Sequence, residues 1–320
     1  ILAYRRKHPT WGPKKLVAGL QRTNPEEGPW PCTSTVGEIL KRHGLIVSRK
    51  RRAKSTPSSE LTEYESANKV WCADFKGWFR TGDGMRCDPL TISDGHTRFV
   101  VRCQIMHRPR MESVQGLFEA TFREYGLPEV LRTDNGAPFA SVGLQGLSRL
   151  SVWWIKLGIR PERIRPGQPQ ENGRHERFHR TLKAETLNPP VETPRGQQRV
   201  FHRFIQEYNY ERPHESLGQT PPGDVYRPSP RPFPRRLREM EYPSGMKVRK
   251  VKMHGDIPWE GETLFLSQTL AGERIGLAPI DERYYTIYFG ELPLAELDTY
   301  KRKVLPIRKS NHQGGEGQAP

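Results

Sequence analysis

Apolar residues recur along this chain in three rhythms. Near the start the spacing is helical. Leu16, Val17 and Leu20 share one face of a segment that Pro13 suits as its first turn. A second helical segment lies in CTSTVGEILKRHG, with Val36, Ile39 and Leu40 apolar, Ser/Thr at the N-cap, Thr35 and Glu38 at capping-box spacing, and Gly44 as the stop. Two short helices joined by a turn, the second polar and basic outside, form a helix-turn-helix pattern. STPSSELTEYES then reads as a linker.

The second rhythm alternates strands and helices. KVWCADF and TRFVVRCQI have the Val, Trp and Phe content of buried strands. Residues 111–125 place Val114, Leu117, Phe118 and Phe122 on one helical face. EVLRTD is a short strand ending at the turn NGAPF, and a Trp/Leu-containing helix is expected at 144–157. A long polar helix runs from Gln170 to Leu187. This order predicts an α/β domain with a mixed sheet. Beyond the Pro/Arg-rich RPSPRPFPRR, a third rhythm of short strand-like runs fills 247–308 and predicts a small all-β domain. The last residues, 309–320, are expected to be a disordered tail.

Composition narrows the function classes. Hydrophobic residues make up 34% and mean hydropathy is −0.78. No apolar run approaches the roughly 18–20 residues that span a bilayer, and charges interrupt every apolar stretch of residues 1–20, so no signal peptide is read there. The chain opens on Ile1, which suggests a shortened N-terminus. Four singly spaced cysteines (Cys32, Cys72, Cys87, Cys103) form no CxxC pair, so neither a disulfide nor a Cys-based metal site is expected. Charge is the stronger signal. Lys+Arg number 52 against 36 Asp+Glu, a net +16, and thirteen basic residues face three acids within residues 1–54. Such an excess calls for a polyanionic partner, for which nucleic acid is the usual candidate.

Chemistry concentrates in three acids. Asp74 lies in the first strand-like run and Asp134 ends EVLRTD. Carboxylates on neighbouring strands suit hard divalent ions, and a third on a crossing helix would complete a two-metal site. Candidates for the third are Glu171, Glu176 and Glu185. Glu176, Arg180 and Lys183 share one helical face, a surface suited to metal plus phosphate. A competing pattern surrounds the same residue: HERFH, from His175 to His179, fits the HExxH of zinc metalloproteases. No HxxGxxH extension follows it, and a protease would not account for the charge. Asp94, in ISDGHTR, is better read as strand-end turn chemistry.

WCADFKG, RTDNGAPF, GQPQENGRHERFHRTLK and YNYERPHESLGQTPP together resemble bacterial insertion-sequence transposases of the retroviral-integrase (DDE) superfamily, over about residues 10–230. The resemblance implies an RNase H-like fold with Asp74, Asp134 and Glu176 as catalytic acids, Glu176 being chosen because it stands three residues after Gly173. It implies Mg²⁺ (or Mn²⁺), two ions per site, and cutting of transposon ends followed by direct attack of the 3′-hydroxyl on target DNA. The expected layout is a helix-turn-helix domain over 1–54, a linker over 55–69, the core over 70–215, a Pro/Arg-rich linker over 216–246 and a small β-barrel over 247–308. DNA contacts are expected from Lys183, Arg180, Asn135 and Arg174, and from Lys41, Arg42, Arg49, Arg51 and Arg52. Arg212, Pro213 and His214 match a family motif and are read as packing and backbone contact. The partners would be double-stranded DNA and further copies of the chain, in a dimer or higher assembly, with no membrane, in a bacterial cytoplasm close to the nucleoid. A catalytically inactive DNA-binding descendant is the alternative. One departure is visible: 41 residues separate Asp134 from Glu176, more than in the best-known members, with the surplus expected around ASVGLQG.

Overall fold

The computed structural model describes residues 1–46, 61–141, 143–237 and 239–307. Arg49, Arg51, Arg52 and the tail 309–320 lie outside them. The chain forms two compact units, one built from Ile1–Asn135 with Ile159–Phe233, the other from Gly136–Gly158 with Pro234–Pro320.

The first unit opens with α1 (Leu2–Lys7), α2 (Pro13–Thr23) and α3 (Thr33–Arg42). Pro13 does start α2. Trp11, Leu16, Val17, Val36 and Leu40 make their shared core. The Thr35–Glu38 capping box does not form. The helix α3 starts earlier, with Cys32 at the N-cap and no side-chain cap, so Thr35 is already inside it, its hydroxyl on the Cys32 thiol at 3.1 Å.

A sheet follows, made of β1 (Val70–Phe75), β2 (Phe79–Arg80), β3 (Arg86–Asp94), β4 (Val100–Met106), then α4 (Met111–Tyr125), β5 (Val130–Thr133), and, after α5 (Arg149–Lys156) of the second unit, β6 (Arg160–Arg163). Its order is β4-β3-β1-β5-β6, with β2 also on β3. The β1–β3 and β3–β4 pairs are antiparallel, and β1–β5 and β5–β6 are parallel. This mixed sheet has the RNase H-like arrangement. Because side chains alternate across a strand, Trp71 faces α4, where its ring stands 6.1 Å from that of Phe122, while Asp74 and its partner Thr91 face the other way. That second face is covered by α6 (Gly173–Thr186) and α7 (Pro194–Tyr210), through Phe178, Leu182, Phe201, Phe204 and Tyr208 against Cys87 and Cys103. A short α8 (Pro222–Val225) follows.

Several elements of the first unit lie outside those named from the sequence. The central strand β3 carries Asp88 and Pro89, β6 is the half-exposed edge segment RPER, and α7 has its apolar stripe at Phe201, Phe204, Ile205 and Tyr208. The polar helix begins at Gly173 and not at Gln170, because Pro169–Asn172 form a 3₁₀ turn.

The second unit has a five-stranded antiparallel sheet in the order β13-β12-β11-β10-β7, plus a β8–β9 hairpin. The strands are β7 (Lys247–Lys250), β8 (Asp256–Trp259), β9 (Glu262–Phe265), β10 (Arg274–Pro279), β11 (Tyr284–Phe289), β12 (Leu292–Asp298) and β13 (Lys303–Leu305). Its core is Ile275, Leu277, Ile287, Phe289, Leu294 and Leu297, joined by Leu147 and Val152 from the 136–158 segment. The helix expected over 144–157 is shorter, α5 alone. A left-handed Gln145 breaks it, and Ser148 caps α5 by accepting from the Ser151 amide.

Candidate active site

Strand register brings the first two acids together. Val70 to Cys72 of β1 pair with Val130 to Arg132 of β5 in parallel. Continuing that register sets Asp74 opposite Asp134, the residue after β5 ends. Glu176 stands in the first turn of α6, exposed. The Asp74 side chain is 22% exposed. Burial pushes its carboxyl up to about 7, and the charges of Asp134 and Glu176 push the same way. Asp134 and Glu176 therefore both lie within electrostatic reach of Asp74. The basic group in ion-pair range of Asp74 is His179, at 3.8 Å. Burial and the neighbouring His175 push that imidazole down to about 2, so it remains neutral and does not compensate the cluster.

The two other glutamates of this helix region are engaged elsewhere. Glu171 is nearly buried and bonded twice to Arg165, at 2.7 and 2.8 Å. Glu185 is paired at 2.7 Å with the buried Arg212. Asp94 accepts from the amides of Asn68 and Thr97, both at 2.7 Å, and so holds the turn after β3.

The HExxH histidines anchor α6 to the sheet. His175 is 1% exposed; its Nε2 meets the Thr91 hydroxyl at 2.7 Å and its Nδ1 the Ser93 hydroxyl at 2.8 Å. His179 Nε2 meets the same Thr91 hydroxyl at 2.6 Å. Thr91 in turn donates to the Asp74 carbonyl at 3.0 Å. Both nitrogens of His175 are thus engaged with hydroxyls, and burial pushes its pKa down to about 3. This is a structural use of the pair and leaves it poorly suited to the zinc role.

Among the described residues, no three His, Cys, Asp or Glu side chains converge closely enough to hold an ion outright. The chemistry of the donor set still fits a divalent ion: hard carboxylate oxygens on strand ends and one helix, with the charges of Asp134 and Glu176 raising the proton affinity of Asp74.

Family models described as integrase core domain match residues 65–169 and 157–222, the two stretches that carry these acids. A 31.7 kDa protein of insertion element IS407 from Burkholderia multivorans is 27% identical over 226 residues, 70% of this chain and 77% of that protein. The transposase for insertion sequence element IS904 of Lactococcus lactis is 26% identical over 208 residues, 60% of this chain and 79% of the relative. The chain thus carries an integrase core over 65–222 and is similar to insertion-sequence transposases of the retroviral-integrase superfamily. Its work is DNA recombination. A solved structure, the simian T-cell lymphotropic virus intasome in complex with PP2A regulatory subunit B56 gamma, aligns at TM-score 0.44 and 16% identity, over 82% of this chain and 91% of that one.

The residues expected to touch DNA fall into three groups. Arg180 and Lys183 are exposed on α6, on the face of Glu176. Arg174 and Asn135 are tethered: Arg174 donates to the Gly95 carbonyl at 2.8 Å with its guanidinium 4.1 Å from the Tyr64 ring centroid, and the Asn135 amide donates to the Ile164 carbonyl at 2.7 Å. Lys41 and Arg42 are exposed in the last turn of α3. Sequence reasoning missed Lys76, two residues after Asp74, whose ammonium is pushed down by burial and by Lys183. Its closeness in sequence to the first acid was the available signal. No helix among the described residues is long and apolar enough to cross a membrane.

Proposed function

We propose that Asp74, Asp134 and Glu176 hold a pair of divalent ions, Mg²⁺ or Mn²⁺, and that the chain cuts transposon ends and joins the freed 3′-hydroxyl to target DNA. The observation that carries this reading is that the β1–β5 register, continued, sets Asp74 opposite Asp134, while the charges of Asp134 and Glu176 both act on the Asp74 carboxyl. Bound there, the ions would supply charge that activates a water or hydroxyl and stabilises a leaving oxygen. The chain's own residues do the rest. Asp74 and Asp134 are held rigidly by paired strands. Glu176 is positioned by a helix whose buried face is pinned through His175, His179 and Leu182. Arg180 and Lys183 would bind backbone phosphates beside the acids, and α1–α3 would add a DNA-recognition element. Joining two ends calls for a dimer or higher assembly.

The test incubates the full chain with duplex carrying the element's own termini, in Mg²⁺, in Zn²⁺ and in chelator, with casein as a parallel substrate. Nicked ends with a free 3′-hydroxyl and joined products are expected in Mg²⁺, none in chelator, and casein is expected to stay intact. Casein digestion in Zn²⁺, or tight end binding with no nicking in Mg²⁺, would contradict the reading.

A further inference from the structure

Beside the carboxylates lies a second concentration of charge. A cleft of about 390 Å³ opens between α2 and α6, and Lys15, Arg98, Arg174, Arg177, Arg180 and Arg212 line it. The lining carboxylate, Glu215, is bonded at 2.6 Å to Lys14. Arg212 is the lining cation with a direct acid partner, Glu185. The Arg98 guanidinium reaches the Gly95 carbonyl at 3.2 Å and the Ser216 hydroxyl at 3.4 Å, both neutral. Lys15 donates to the Pro213 carbonyl. Among the described residues Arg177 and Arg180 have no ion pair.

Cations gathered around a half-enclosed cleft repel one another, and each loses hydration there. The protein feels this. Burial first, and then Arg212, push Lys15 down to about 8, and burial, with Arg174 next, pushes Arg98 down to about 10. Arg98 also takes a left-handed backbone, φ 68°, which is strained for a residue with a Cβ. A solvated basic surface would let its side chains spread into water. Here they are kept together, which favours an anion as the missing partner.

The sides of α6 indicate which anion. His175, Phe178, Leu182 and Thr186 are buried. Glu176, Arg180 and Lys183 form a second side. Arg174, Arg177, Thr181 and Ala184, at i, i+3, i+7 and i+10, form the third, which lines the cleft. Arg180 lines the cleft and lies one turn from Glu176, so a single polyanion can pass from the carboxylates across Arg180 into the cleft. A free nucleotide would use the cleft alone.

We infer that this cleft is a second DNA-holding site, seating backbone phosphates of duplex one helix face away from the three carboxylates. The inference rests on the DNA-recombination reading, yet fails separately from it.

The experiment measures binding of a mixed-sequence DNA duplex to the full chain by fluorescence anisotropy across a salt series. It compares wild type with Arg98→Ala, Arg177→Ala and Thr181→Glu, and with Arg123→Ala on α4 as control. Each cleft variant is expected to weaken binding several-fold, and each arginine variant to lower the slope of log K against log salt by about 0.9, the value for one lost phosphate contact. Arg123→Ala should bind like wild type. Arg177 and Thr181 lie on the outer surface of α6, so their variants remain informative even where Arg98→Ala fails to fold. Wild-type affinity and slope in both α6 variants overturn the inference, as does tighter binding of RNA of the same sequence than of DNA. Metal-dependent cutting alongside unaffected cleft variants would spare the carboxylate reading and sink this one. Weakened binding in a protein that never cuts would do the reverse.

Discussion

Asp74 shows how a site can be costly to the fold that carries it. Its carboxyl starts from 3.8 and is pushed up to about 7 by burial and by two neighbouring acids. A folded-state pKa above the unfolded one means that the native state binds the proton more tightly. The resulting stabilisation is full below about pH 4 and is lost as pH rises through about 7. Asp74→Asn removes the charge and keeps the shape. In chelator, the thermal midpoint of this variant relative to wild type should therefore rise between pH 5 and 8, by a few degrees for a change of about 1–2 kcal/mol. A difference that stays flat with pH, read by circular dichroism melts, would contradict this account of the carboxylate cluster. That Asp74 and Asp134 would lie on neighbouring strands was legible from strand context and motif. That Asp74 carries the raised proton affinity was not, because that depends on how deeply it sits and on an acid 60 positions away.

At the scale of elements, the docking of α6 on the sheet turns on one hydroxyl. Thr91 on β3 meets His175 at 2.7 Å and His179 at 2.6 Å while donating to the Asp74 carbonyl at 3.0 Å. Thr91→Val keeps the volume but strands buried imidazole nitrogens, so stability in urea should fall by about 1–3 kcal/mol; an unchanged denaturation midpoint would contradict the anchoring role. The sequence showed HERFH as a five-residue pattern but not its partners, which lie 82 to 88 residues earlier. The strands β1, β4 and β5 and the helix α4 were legible because burial demands apolar runs. The strand β3 was not, since Asp88 and Pro89 punctuate a segment whose pairing on both sides supplies what propensity does not. The edge strand β6 has little apolar content to read. The helix α7 was readable: Phe201, Phe204, Ile205 and Tyr208 stand at helical spacing, and all but Ile205 are buried.

For the whole molecule, part of the net +16 acquires a location in the basic cleft and in Lys183. The long interval between Asp134 and Glu176 also acquires an explanation. Residues 136–158 belong to the second compact unit, and Leu147 and Val152 complete its core. Lys156 pairs there with Glu273 at 2.8 Å. No local pattern could announce this, because the partners of that segment come about a hundred residues later. The central claim is that Glu176 completes a carboxylate set doing chemistry on DNA, not merely binding it. The most direct measurement is cutting of element ends in Mg²⁺ by Glu176→Gln beside wild type, with end binding measured on the same samples. The account predicts nicking reduced by at least about a thousandfold, a loss of roughly 4 kcal/mol of transition-state stabilisation, with binding retained; end cutting by Glu176→Gln at the wild-type rate would contradict it.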